Sequence, residues 1–92
     1  MVKVNVVTFA NIKKIIGKKQ FTYEAILIKD LISKLIEEFG HELELELFDS
    51  NGNIRKMYRV LINARNINLL DGLDTKLNED DMVVLMPAIA GG

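Results

Sequence analysis

At 92 residues the chain has room for one domain, with a core large enough to fold unaided but no space for a second. Hydrophobic residues at 49%, charged residues at 27% and a single proline describe a globular chain, and 12 basic against 13 acidic residues leave a net charge of −1, which offers no general field for nucleic acid. The absence of cysteine and the presence of one histidine, His41, exclude disulfides, thiolate metal sites and thiol nucleophiles, and all but exclude histidine chemistry.

No stretch approaches the roughly 20 apolar residues that span a bilayer, and Met1-Val2-Lys3-Val4-Asn5 lacks the layout of a signal peptide, so a cytoplasmic location is expected. Val2 to Ala10 is rich in β-branched and aromatic residues and predicts a strand apolar on both faces. Ile12, Ile15 and Ile16 fall at i, i+3 and i+4 behind Asn11 and ahead of Gly17, which predicts one or two turns of helix. Gln20 to Ala25 is β-prone and predicts a second strand.

From Lys29 to Phe39 the residues Leu31, Ile32, Leu35, Ile36 and Phe39 form one stripe, the mark of a long amphipathic helix ended by Gly40. No Ser, Thr or Asp stands directly ahead of Lys29 to cap it. Glu42 to Leu47 alternates Glu and Leu without a fault, which predicts a half-exposed strand with three leucines on the core and three glutamates in water. Asp49 to Asn53 reads as the turn of a hairpin whose return strand is Arg55 to Asn63. It opens like a calcium loop, but Ile54 stands where such a loop needs glycine and Val60 where it needs glutamate. Further turns at 63–66, 71–72 and 78–81 precede a last strand, Met82 to Met86.

The order β, short α, β, α, β, β, β gives an α+β domain, a mixed sheet packed on one main helix. One helix covers one sheet face, so whichever of the sets Met82/Val84/Met86 and Val83/Leu85 packs inward, the other lies apolar and uncovered beside the chain end. Such a patch suggests a docking surface. The basic residues Arg55, Lys56, Arg59 and Arg65 fall on or near one strand without interleaved aromatics, and read as partner contacts or solubility rather than as a nucleic-acid site.

The chain ends Pro87-Ala88-Ile89-Ala90-Gly91-Gly92, and residues 82–92 carry no charged side chain. Two terminal glycines arise by chance in roughly one chain in two hundred, since glycine makes up about 7% of ordinary sequence. Without Cβ atoms they present a bare main chain ending in a carboxylate, suited to a slot too narrow for side chains. Residues 88–92 reach on the order of 17 Å when extended, enough to enter a neighbour's active site. The division expected is a folded domain over 1–87 and a flexible reactive tail over 88–92.

The order of elements and this ending resemble the ubiquitin-like β-grasp sulfur carriers, most closely the MoaD-type small subunit of molybdopterin synthase. The resemblance runs through Phe9 to Gly17, Val60-Leu61-Ile62-Asn63, Leu70 to Leu77, and above all Asp81-Met82-Val83-Val84-Leu85-Met86-Pro87 into Gly91-Gly92. Ala64 and Asp80 stand where members often carry turn glycines, and Ala88 where some carry a second proline. Ala64 in particular resists positive φ.

The resemblance implies that the chain is a carrier and not itself an enzyme, with no bound cofactor or metal. A ubiquitin-activating-type enzyme would spend ATP to adenylate Gly92, and a sulfur donor protein would convert it to a thiocarboxylate. The large subunit of molybdopterin synthase would then take the sulfur for the dithiolene of molybdopterin in a hetero-oligomer. Gly91 and Gly92 are the reactive end, and Met82, Val84, Met86, Pro87, Ala88, Ile89 and Ala90 are the expected partner contacts; neither nucleic acid nor membrane is implied. A ubiquitin-like protein modifier, or a carrier for tRNA thiolation or another pathway, needs the same ending, and a β-grasp interaction module that is never activated is a third reading.

Overall fold

The computed structural model describes residues 1–88. Five strands form one mixed sheet: β1 (Val2–Thr8), β2 (Gln20–Ala25), β3 (Tyr58–Ile62), β4 (Arg65–Asn66) and β5 (Met82–Pro87), in the order β2-β1-β5-β3-β4. β5 lies at the centre, parallel to β1 and antiparallel to β3, while β1 and β2 form an antiparallel hairpin. Three helices, α1 (Ala10–Ile16), α2 (Ile28–Phe39) and α3 (His41–Leu47), share one core with the sheet face that carries Val4, Val6, Val60, Ile62, Val83 and Leu85. This is the ubiquitin-like β-grasp architecture expected from the sequence, an α+β domain wrapped on its longest helix, α2.

The amphipathic stripe does its work in α2: Ile28, Leu31, Ile32 and Leu35 are buried, with Ile36 and Phe39 packed at the edge of the core. Its start is capped from inside, because the Asp30 carboxylate accepts a hydrogen bond from the Leu27 amide at 3.0 Å. That explains why no cap precedes the helix in sequence. At the other end Gly40 adopts φ 95°, which favours glycine, and lets the chain reverse directly into α3.

The segment 41–47 corrects the sequence reading: it is a helix, not a strand. Leu43 and Leu47, one helical turn apart, are buried against α1 and α2, whereas Leu45 is 56% exposed. Alternation is compatible with a strand, but Glu and Leu are both strong helix formers and Glu is depleted in strands. Burial of two leucines at i and i+4 therefore prevails over burial of three on one strand face. Glu42 and Glu44 are exposed as expected, but Glu46 is half-buried and accepts a hydrogen bond from the Tyr58 hydroxyl. His41 opens α3 and pairs with Glu44 at 2.9 Å instead of leading into a strand.

The consequence downstream is a different hairpin. The Asp49–Asn53 turn exists, with the Asp49 carboxylate accepting from the amides of Asn51 and Asn53, but it joins α3 to β3 through a single bridge between Phe48 and Ile54. The strand expected over Arg55–Asn63 contracts to Tyr58–Ile62, and its hairpin partner is the two-residue β4 that follows Asn63-Ala64.

Candidate functional site

β5 positions everything at this site. Val83 and Leu85 are fully buried, which fixes the strand's rotation and leaves Met82, Val84 and Met86 on the face that no helix covers. Register then assembles a cluster around them. Val84 lies beside Val7 of β1 and Leu61 of β3, Met82 beside Asn5, and Met86 beside Arg59. Val7, Leu61, Val84 and Met86 are half-buried and Met82 is 43% exposed, so the centre of the open face is a continuous apolar row. Lys3, Asn5, Thr22 and Arg59 stand around it.

The sequence reading named Met82, Val84 and Met86 but missed Val7 and Leu61. The signal was present: in Tyr58-Arg59-Val60-Leu61-Ile62 the buried residues alternate, which makes Leu61 an apolar residue out of phase with the core.

Both ends of β5 are held. At its start, the Asp81 carboxylate accepts from the Asn63 side-chain amide at 2.9 Å and from the Asn78 backbone amide at 2.8 Å, while the Asn63 side-chain oxygen accepts from the Met82 amide at 3.0 Å. At its end, Pro87 lies opposite Tyr58 and the Ala88 amide donates to the Met57 carbonyl at 2.7 Å. The half-buried pair Pro87 and Ala88 thus forms a fixed root for the chain end. Ile89, Ala90, Gly91 and Gly92 lie outside the described residues.

Two tyrosines near the sheet have unusual acidities. Burial, then a hydrogen bond to the Glu46 carboxylate, pushes the Tyr58 hydroxyl well above the ordinary phenol range. Burial and the Glu38 carboxylate push Tyr23 up to about 12. Both stay protonated as donors at neutral pH, and neither is poised as a base. Among the described residues no group of three His, Asp or Glu side chains is arranged to hold a metal ion. No helix there is long and apolar enough to cross a membrane.

The ThiS family profile matches residues 6–92, which takes in β5 and the whole of the ending. The chain belongs to the ThiS family. It is therefore one of the ubiquitin-like sulfur carriers, and its ThiS-type β-grasp fold recurs in proteins with different names. A relative from Archaeoglobus fulgidus, named "Putative sulfur carrier protein", is 28% identical over 83% of this chain and 85% of its own. "Small archaeal modifier protein 3" from Haloferax volcanii is 29% identical over 91% of this chain and 92% of its own. Among solved structures, small archaeal modifier protein 1 from Methanosarcina acetivorans superposes with a TM-score of 0.84 at 26% identity, covering 100% of this chain and 98% of that one. The Pyrococcus furiosus protein described as "Putative molybdopterin converting factor, subunit 1" shares the fold, with a TM-score of 0.75 at 22% identity over 97% of this chain and 100% of that one.

Proposed function

We propose that this ThiS-family chain is a sulfur carrier whose reacting group is the Gly92 carboxylate, and that it serves as the small subunit of a molybdopterin synthase. The observation that carries the reading is the central strand β5, which is clamped at Asp81 and anchored at Ala88 and is followed by the uncharged sequence Ile89-Ala90-Gly91-Gly92. Such a strand fixes where the tail starts. The tail's own composition places no charge in the way of a buried partner site except the carboxylate itself.

The chemistry then belongs to partners. In an adenylating enzyme, a Gly92 carboxylate oxygen attacks the α-phosphorus of ATP and pyrophosphate leaves, which converts a poor acyl donor into an acyl-adenylate. A persulfide on a donor protein attacks the carbonyl carbon and AMP departs, giving an acyl disulfide. A thiol then cleaves its S–S bond, leaving the thiocarboxylate on this chain and a disulfide on the donor side. In the large subunit that sulfur passes to the dithiolene of molybdopterin. This chain supplies position, and the electrostatic help for each step must come from the enzyme that holds the tail. The apolar row Val7, Leu61, Val84 and Met86, with Met82 at its edge, is the face on which those partners dock, and Pro87 to Ala90 line the passage inward.

A second reading is favoured by the names of the Haloferax and Methanosarcina proteins, both modifiers. In that case the activated Gly92 is attacked by a lysine amine to give an isopeptide. Mass spectrometry of the protein from its native host separates the two. Replacement of one terminal oxygen by sulfur supports the carrier, a Gly92–lysine isopeptide supports the modifier, and an invariably unmodified end refutes both. Co-purification with a molybdopterin synthase large subunit decides the destination, and deletion of Gly92 is expected to abolish sulfur transfer while leaving thermal unfolding unchanged.

A further inference from the structure

On the outer side of β3, across that strand from β5 and the root of the tail, lies a groove of about 260 Å³. Arg55, Lys56 and Arg59 line it together with Asn53, Asn66 and Asn68, and no Asp or Glu does. The two arginines are held in place by main-chain carbonyls: Arg55 Nε donates to Leu45 at 3.0 Å, and Arg59 Nη1 donates to Lys56 at 2.9 Å and to Tyr58 at 3.2 Å. Each guanidinium has five N–H donors, so most remain available, and holding one of them fixes the direction of the rest. Neither ion pair among the described residues, Lys29–Asp74 or His41–Glu44, involves these three cations. In a chain of net charge −1, two backbone-held arginines, the exposed Lys56 and three amides around one hollow lined by no carboxylate form a local anion-binding surface, although Arg55 also borders the neighbouring hollow that holds Glu44 and Asp49.

Position indicates what kind of anion it meets. Arg59 is cross-strand neighbour to Met86, and Met57, whose carbonyl anchors Ala88, directly follows Lys56. A protein seated on the open sheet face and receiving the tail therefore meets this groove at the rim of the contact. The groove offers no exposed aromatic ring for base stacking, since Tyr58 is only 4% exposed, which disfavours a single-stranded nucleic acid. We infer that the groove formed by Arg55, Lys56 and Arg59 receives an acidic loop, carrying Asp or Glu carboxylates, of the protein that accepts the tail. Bidentate guanidinium–carboxylate pairing is the recognition available there, and the backbone-held arginines are preorganised for it. The contact orients the partner around the tail root and steers its approach.

This inference rests on the reading that a partner takes up the tail, so its test uses no sulfur chemistry. Full-length, ¹⁵N-labelled protein is titrated with an acetylated hexaglutamate peptide and, separately, with a ten-nucleotide oligothymidylate at low salt. The peptide is expected to shift the amides of residues 53–59, 66 and 68, with binding that weakens at least tenfold in Arg55→Gln/Arg59→Gln and falls as salt rises. The exposed lysines 13, 14, 18 and 19, which carry more charge but do not line this groove, serve as the internal comparison. Absence of shifts in the groove, equal shifts at those lysines, or tighter binding of the oligothymidylate through the groove would overturn the proposal. Wild-type thermal unfolding of the double variant, or of Lys56→Gln alone if the double variant is unstable, secures the comparison. An unmodified Gly92 in the native mass spectrum would sink the carrier reading and leave the titration result intact.

Discussion

Replacing Ala64 by glycine should stabilise this protein, and the size of the gain can be worked from two backbone angles. Asn63 and Ala64 are the central residues of the two-residue turn between β3 and β4, with φ of 50° and 72°. Positive φ at both positions is the type I′ hairpin requirement, for which Asn-Gly is the preferred pair. Asn63 satisfies it at little cost, but a left-handed conformation costs an alanine about 1–2 kcal/mol. Glycine removes that strain and returns about 0.4–1 kcal/mol through its freer unfolded state, leaving a net gain of about 0.5–1 kcal/mol. For a domain of this length that corresponds to a rise in Tm of roughly 2–8 °C. Ala64 is exposed, so no packing term intrudes. Urea unfolding at 25 °C should show a higher midpoint at unchanged slope, and Ala64→Val should move it the other way. An Ala64→Gly midpoint equal to or below that of the parent would refute the strained-turn argument.

The helical assignment of 41–47 separates three leucines that a strand would treat alike. Leu43→Ala and Leu47→Ala should each cost about 2–5 kcal/mol, and Leu45→Ala less than about 0.5 kcal/mol, by chemical denaturation; three equal losses would restore the strand. Alkaline stability tests the tyrosines. Their folded acidities are weaker than in the unfolded chain, so their contribution is complete below the unfolded phenol pKa near 10 and is lost as pH rises toward about 12 and beyond. Tyr23→Phe and Tyr58→Phe should each flatten the fall in Tm above pH 10, and an unaltered profile in both would show that the hydroxyls are not linked to folding. Met86→Asp places a charge in the apolar row without touching the core, and should weaken docking of an activating enzyme at least tenfold at near-parental stability; unchanged affinity excludes the open face as the dock.

Sequence alone carries the elements whose pattern and length admit a single solution. Leu31, Ile32, Leu35 and Ile36 can share a face only on a helix, and Met82 to Met86, apolar on both sides, fits only a strand inside a sheet. Leu43-Glu44-Leu45-Glu46-Leu47 admits two solutions, and packing against α1, which is distant in the sequence, and against α2 decides between them. Ala64 and Asp80 are the converse case, where local preference and observed conformation differ. Both stand where the family favours glycine, and both adopt positive φ, 72° and 68°, because the ladders on either side and the Asn63–Asp81 clamp over-determine the turns. A local preference worth about 1 kcal/mol does not redirect a chain held at both ends.

The site divides in the same way between residues that were legible and residues that were not. The apolar row is one strand's outward face plus its register partners, so half of it could be named from β5 alone. The basic groove gathers residues 53–56, 59, 66 and 68 from a loop, a strand end and an edge turn, which only the placement of α3 brings into order, since Arg55 is fixed by the carbonyl of exposed Leu45. That dependence links the misread helix to the recognition surface. Were 41–47 a strand, the Leu45 carbonyl would be committed to a ladder or to solvent and Arg55 would lose its brace. Leu45→Pro should therefore disorder Arg55 and weaken hexaglutamate binding even though the Leu45 side chain touches no ligand, whereas Leu45→Ala, which keeps the carbonyl in the helix, should bind the peptide as the parent does.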